Sequence, residues 1–129
     1  MISMHFTPDS EIYDQEILYR AIHPNHWNHE EDRPTSAAFK DKQGVSVDRD
    51  GDRTGDQCLT FLLTNRDNYG ACSLKAGFVT SIGAFIKPAQ LPENSYHALI
   101  LESEEKIHLS NSKARLLSKT AEIHIKPIK

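Results

Sequence analysis

The chain contains no apolar run that approaches a membrane span, no glycine-rich phosphate loop and no paired-cysteine motif. Each absence removes a class of function. A spanning helix needs about 20 consecutive apolar residues, so no membrane partner or membrane location is expected. The two cysteines, Cys58 and Cys72, stand 14 positions apart rather than in CxxC, which argues against a thiolate zinc site. They read as small buried apolar side chains in a reducing compartment. No GxGxxG or Walker sequence cradles a phosphate. No GxSxG is present and neither cysteine has an adjacent histidine, so no nucleophilic triad is expected. Met1 to Ser10 is short, polar and interrupted by Pro8, so no secretory leader is expected and the reading is cytoplasmic.

What is present fits one domain. A chain of 129 residues with 38% hydrophobic and 26% charged side chains can bury a single core without disulfides or metals. The net charge of −3 hides an uneven distribution: residues 1–56 carry 12 acidic and 6 basic side chains, and residues 57–129 carry 6 and 9. The domain is electrically polarised if these halves occupy different faces, and nearly apolar in this sense if they interleave. The basic residues Lys113, Arg115, Lys119, Lys126 and Lys129 have no aromatic side chains among them. A solvated helix face is expected there, and a nucleic-acid partner is not.

The elements follow from periodicity and punctuation. Glu16–Ile22 is nearly all apolar and β-rich, which predicts a central strand covered on both faces and ended by Pro24. The stretch HPNHWNHEEDRP reads as a surface loop with Trp27 turned inward. Residues 35–40 predict a short strand or turn, and Val45–Asp48 alternates as a strand. Thr54 and Gln57 have capping-box spacing ahead of a helix reaching about Arg66. A short helical turn, then a strand over 84–87, is expected in 71–88. Tyr96–Leu101 reads as a second strong strand. A helix capped by Ser110 or Ser112 and a half-buried strand over 122–126 complete the chain. The fold class expected is α+β, a single small domain with a mixed or mostly antiparallel sheet, two main helices and a loosely ordered lead-in over 1–15.

The chemistry-bearing residues concentrate between Arg20 and Asp56. Arg20 lies within a strand that otherwise reads as core, and a guanidinium cannot shed its charge there. Either an internal acid satisfies it or it clamps an external anion. Arg33, Ser36, Asp48 and Arg49 are grouped with it, and His97, opening a strong strand, completes the candidate ligand set. His23, His26 and His29 recur every third residue, yet Pro24 argues against one helical face, so they read as loop polarity. Asp48, Asp50, Asp52 and Asp56 imitate the start of a calcium loop, but Arg53 stands where glycine is required and Leu59 where the last carboxylate is required. No metal site is assigned and no cofactor is identified. The expected function is a non-enzymatic binding domain for a small anionic or polar ligand or a protein partner.

At RPTSAAFK, GVSVDR and HALI the chain resembles a group of short uncharacterised bacterial proteins that carry similar segments in this order. The resemblance covers most of residues 18–127. It brings no activity with it, only an association with mobile or defence-type gene neighbourhoods. Arg20, Ser36 and Glu102 or Glu122 are also similar in type to the arginine, serine and glutamate of compact ADP-ribosyltransferase-like toxins. That resemblance implies a nucleotide-using transferase as the alternative function. A metal-dependent nuclease built on the histidine loop is the second alternative.

Overall fold

The structure is a computed structural model that describes residues 6–128. In chain order its strands are β1 (Ile17–Ile22), β2 (Trp27–Asn28), β3 (Arg33–Pro34), β4 (Val45–Arg49), β5 (Gly70–Lys75), β6 (Phe85–Pro88), β7 (His97–Leu101) and β8 (Glu122–Ile125). Its helices are α1 (Gly55–Leu62), α2 (Ala76–Ser81) and α3 (Asn111–Thr120). Six strands form one sheet in the order β6-β7-β4-β1-β5-β8, and every pair in it is antiparallel. The α+β class follows directly. The acidic half of the chain supplies the two middle strands β4 and β1, and the basic half supplies the flanks. The halves therefore interleave in the sheet.

The strand pleat sorts side chains onto two faces. Leu18 and Ile22 of β1, Val45 and Val47 of β4, Cys72 and Leu74 of β5, and Ala98 and Ile100 of β7 build the core face. Above it pack Trp27, Phe39, Val79, Leu109, Ala114 and Leu117. The second face has a smaller apolar cluster, in which Tyr19 and Ala71 meet Cys58 and Leu62 of α1. The capping box of α1 forms as its spacing predicts: Thr54 accepts from the Gln57 N–H, and the Gln57 side chain accepts from the Thr54 N–H. Ser110 caps α3, accepting from the Lys113 N–H.

One segment takes the turn that was one of its two expected forms, and two differ from expectation. Residues 35–40 form a 3-10 turn over Ser36–Phe39, which buries Ala38 and Phe39 beneath α3. The loop after β1 contains a two-residue ribbon, β2 against β3, with Trp27 buried as expected. The largest difference is β5. Its sequence GACSLK lies between β1 and β8, buried along nearly its whole length. Small residues give it little strand propensity, and burial on both faces removes the alternation that betrays a strand. Gly70 opens it for a steric reason: a Cβ there would lie 2.7 Å from the Ile125 carbonyl oxygen.

Residues 1–5 of the expected loose lead-in lie outside the described residues; residues 6–16 are tied down by Arg49. Its side chain is buried on the core face, with the residue 1% exposed. The Nε and one Nη donate to the two oxygens of Glu16 at 2.7 and 3.0 Å. The other N–H groups reach the carbonyls of Pro8, Ser10 and Glu11 and the hydroxyl of Ser10. The Phe6 ring lies 4.8 Å from the guanidinium carbon. Every donor of the fork is thus occupied within the chain. Removing one partner of a buried pair strands the other, so Arg49→Met should lower the unfolding free energy by about 3–5 kcal/mol in a urea titration. A loss below about 1 kcal/mol would mean that Glu16 and the carbonyls find water instead.

A second ion pair anchors α3. Lys113 donates to Glu102 at 2.8 Å, and the Ser110 N–H donates to the other Glu102 oxygen at 2.9 Å. The Lys113 hydrogen bond, followed by that of Ser110, holds the Glu102 carboxyl below the ordinary glutamate range. A depressed folded pKa contributes stability that is full above the unfolded value and is lost as pH falls through the folded one. Glu102→Gln should therefore cost stability at neutral pH, with the gap to the unmodified protein closing as urea midpoints are followed down through the carboxylate range.

Candidate functional site

Register, rather than sequence proximity, assembles the polar part of the second face. Antiparallel partners share a face, and the pairings Glu122–Ser73, Ser73–Tyr19, Tyr19–Asp48 and Asp48–His97 run continuously across β8, β5, β1, β4 and β7. Five polar side chains thus form one row. The N-terminus of α1 lies against the middle of it, where a Cβ on Gly55 would stand 3.2 Å from the Tyr19 hydroxyl. Cavities open on both sides.

The larger cavity is an open groove of about 800 Å³ over β1, β4 and β7. Ala21, Ser46, Asp48 and His97 belong to its lining. One wall comes from the end of α1 and the turn after it, with Phe61, Arg66 and Tyr69. The opposite wall is the loop before β7, with Leu91, Glu93 and Asn94. Phe61 and Leu91 are both exposed, so the groove has an apolar side chain on each wall. The loop wall is rigid by construction, because Leu91 and Asn94 exchange backbone hydrogen bonds of 2.9 and 3.0 Å.

Asp48 is the group within the groove that the chain leaves incomplete. The residue is 4% exposed, yet only one carboxylate oxygen has a partner, the Asn94 side-chain amide at 2.8 Å. The other oxygen accepts from none of the described residues, and no buried side-chain atom among them is left unsatisfied, so it opens to the groove. Across the strand pair His97 makes a 2.8 Å hydrogen bond from Nδ1 to the Ala89 carbonyl. A carbonyl only accepts, so Nδ1 carries the proton, and the neutral ring keeps a lone pair on Nε2. His23 has the opposite arrangement: its Nδ1 accepts from the Asn25 N–H at 3.0 Å, which leaves the proton of the neutral ring on Nε2.

Of the six residues expected to bind ligand, the structure brings three together at this groove: Arg20, Asp48 and His97. Arg20 is 8% exposed and is committed largely to the chain. It donates to the carbonyls of Ala38 and Ser46, each at 2.8 Å, and to Asp41 at 3.1 Å. The anion that meets this guanidinium is therefore Asp41. Arg33 and Ser36 line a separate depression of about 320 Å³ beside α3, where Arg33 donates to the Ser118 and Ala121 carbonyls at the helix end. Arg49 lies at none of these surfaces and has no free donor.

The remaining candidates are dispersed. His23 and His26 line the groove, and His29 does not. Asp52 accepts from the Tyr96 hydroxyl at 2.8 Å, and Asp56 lies in the exposed first turn of α1. Among the described residues no three His, Cys, Asp or Glu side chains are grouped to hold a metal ion. Arg20, Ser36, Glu102 and Glu122 do not converge: Ser36 is at the depression beside α3, Glu102 is paired with Lys113, and Glu122 belongs to the cavity beyond α1.

That second cavity, of about 390 Å³, holds a contact with no signal in the sequence. Ser73 Oγ and His124 Nε2, 51 positions apart, lie 2.8 Å from each other. The Glu122 carboxylate is 3.4 Å from the same nitrogen. A catalytic triad needs the acid on the other ring nitrogen, where it fixes the tautomer that accepts the serine proton. This pair therefore works as a cross-strand hydrogen bond. Thiol chemistry is equally restrained. Burial pushes the Cys72 thiol up to about 12 and raises that of Cys58.

The Ala89 carbonyl dictates a tautomer that can be read directly. Long-range ¹H–¹⁵N correlation spectra should show the neutral His97 ring protonated on Nδ1 and the neutral His23 ring protonated on Nε2. Identical tautomers in the two rings would contradict the hydrogen bonds that define the groove.

No protein-family model, no curated protein and no solved structure matches this chain.

Proposed function

We propose that the chain is a binding domain that takes a small polar ligand into the groove over β1, β4 and β7. The observation that carries this reading is the buried Asp48 carboxylate with one oxygen satisfied by Asn94 and the other open to the groove. The oxygen that opens to the groove is met by water there, and an occupant that carries a donor can take that water's place. The His97 Nε2 lone pair on the neighbouring strand adds a second acceptor. Phe61 and Leu91 offer apolar contact on opposite walls, and the volume of the groove falls in the range of about 300–1,000 Å³ common for small-molecule sites.

These features favour a donor-rich head group such as an ammonium, guanidinium or amidine over an anion. Arg20, the residue an anion would need most, already spends three donors on Ala38, Ser46 and Asp41. The test is a melting-temperature comparison with agmatine, arginine, putrescine and inorganic phosphate at millimolar concentration. A ligand that binds only the folded state raises the midpoint. An amine or guanidine should raise it in the unmodified protein and fail to do so in Asp48→Asn, which keeps the shape and removes the charge. A shift produced by phosphate alone, or one that survives Asp48→Asn, would sink this reading.

A further inference from the structure

Strand β8 does not keep an even register against β5. Ala71 pairs with Ile125 and Cys72 with Ile123, so His124 is an extra residue with no partner opposite it. A bulge of this kind re-aims the side chain it carries. Here the His124 ring turns over the second face of the sheet. Its Nε2 lies 2.8 Å from Ser73 Oγ, and its ring centre lies 5.6 Å from that of Tyr19. All three side chains line the cavity of about 390 Å³.

Three donors at this cavity have no acceptor among the described residues. The first is the Ser73 hydroxyl. The Glu122 carboxylate lies 3.4 Å from the same His124 nitrogen, and a carboxylate only accepts, so Nε2 carries a proton. Ser73 Oγ then accepts from His124, and its own proton is left free. The second is Tyr19, directly opposite Ser73 on β1. Its hydroxyl bonds to none of the described residues, and no buried side-chain atom among them lacks a partner, so it opens to the cavity that Tyr19 lines. Burial raises the phenol pKa and keeps the proton on this oxygen. Ser73 and Tyr19 are 6% and 7% exposed, so both hydroxyls are held by packing. The third is Lys75, two positions along β5 from Ser73 and on the same face. It is exposed and forms no ion pair among the described residues. Ile17, opposite Lys75, and Phe78 of α2 add apolar surface.

We propose that this cavity is a second binding site, separate from the groove at Asp48, and that it takes the carboxylate of a small acid with an apolar body. The carboxylate accepts from the Ser73 and Tyr19 hydroxyls and meets the charge of Lys75. The apolar body lies against Ile17 and Phe78. Hydrogen bonds to an ionised acceptor are stronger than those to a neutral carbonyl, and Lys75 supplies the opposite charge. Glu122, the acid in this lining, is directed to His124, and its side chain is 76% exposed, so water screens it. The two sites of the sheet face thus select opposite charges.

Titration of ¹⁵N-labelled protein with phenylacetate at millimolar concentration tests the site. Saturable shifts should appear in the backbone amides of β5 and β8 around Ser73, Lys75 and His124. Phenylacetamide, which keeps the shape and removes the charge, and phenethylamine, which reverses it, should not saturate there. Tyr19→Phe keeps the ring and removes only the hydroxyl, and it should weaken phenylacetate binding by about tenfold. Lys75→Met should weaken it by about fivefold, while Lys75→Arg retains it. Lys75 is exposed, so circular dichroism should show the fold kept in both of its variants. The absence of saturable shifts with phenylacetate overturns the proposal, and so does equal affinity for phenylacetamide. An affinity unchanged in both Tyr19→Phe and Lys75→Met overturns it too, as do shifts confined to β4 and β7, which would place the acid in the groove.

Discussion

The guanidinium of Arg49 cannot lose its proton, and it sits where the sheet is closed to water. It must therefore find acceptors for all five of its N–H groups inside the protein. Glu16 supplies the charge and the backbone of residues 8–11 supplies carbonyls. The need is local to one side chain, but meeting it shapes three segments. It holds the chain before β1 against the end of β4, it brings Phe6 onto the Tyr96 ring at 4.7 Å, and Tyr96 in turn ties down the turn containing Asp52. Arg53 closes the same cluster, lying 3.6 Å from the Tyr96 ring centre and donating to the Arg49 carbonyl. Tyr96 immediately precedes β7, so the base of the loop that walls the groove is fixed by this cluster.

The groove itself results from unequal cover on the two faces of the sheet. The core face is roofed by the Ser36–Phe39 turn, α2 and α3 together. The second face has only α1, whose eight residues reach across β1 and its neighbour β5. The part of that face over β4 and β7 is left to a loop. A sheet can carry polar side chains on such a half-covered face without desolvating them fully, and the row from Glu122 to His97 lies there. α1 crosses at Tyr19, where burial raises the phenol pKa, and separates the cavity at Ser73 and His124 from the groove at Asp48.

Local signals in the sequence located most of the fold. Capping chemistry placed α1 and α3, proline and alternation placed β1, β4, β7 and β8, and Trp27 turned inward as its surroundings suggested. These are features a few residues long. β5 escaped because Gly70, Ala71, Cys72 and Ser73 carry neither strand propensity nor a polar face. Missing β5 hid the partner of β1 and β8, and with it the register that aligns Ser73, Tyr19 and Asp48. The site was legible only in part for the same reason. Asp48 and His97 were singled out by residue type, but their adjacency is a cross-strand fact. Arg20 drew attention as a charge in a strand and Arg49 as a member of the same candidate ligand set, and no pattern in the chain shows that both are satisfied internally. What separates them is the distance in space to Asp41 and to Glu16.

That separation bears on which buried charge is left for a ligand. Arg49 has all its donors met, and Arg20 meets two carbonyls and Asp41. Lys113 and Glu102 satisfy each other while also reaching the Gly83 carbonyl and the Ser110 N–H. In each case the acceptor or donor comes from a different element, so the contact stabilises tertiary packing and its energetic reason is internal. Asp48 is arranged otherwise. One of its oxygens does the same structural work, holding Asn94 and the loop. The second would need only one nearby donor to be closed off in the same way, and the walls contain several, including Tyr69 and Arg66. The cation of that wall, Arg66 in the turn after α1, instead turns a donor back to the Leu62 carbonyl at the end of the helix. A carboxylate held rigidly, half satisfied and bordered by apolar side chains keeps its acceptor preorganised, so an incoming donor would not first have to displace an internal one.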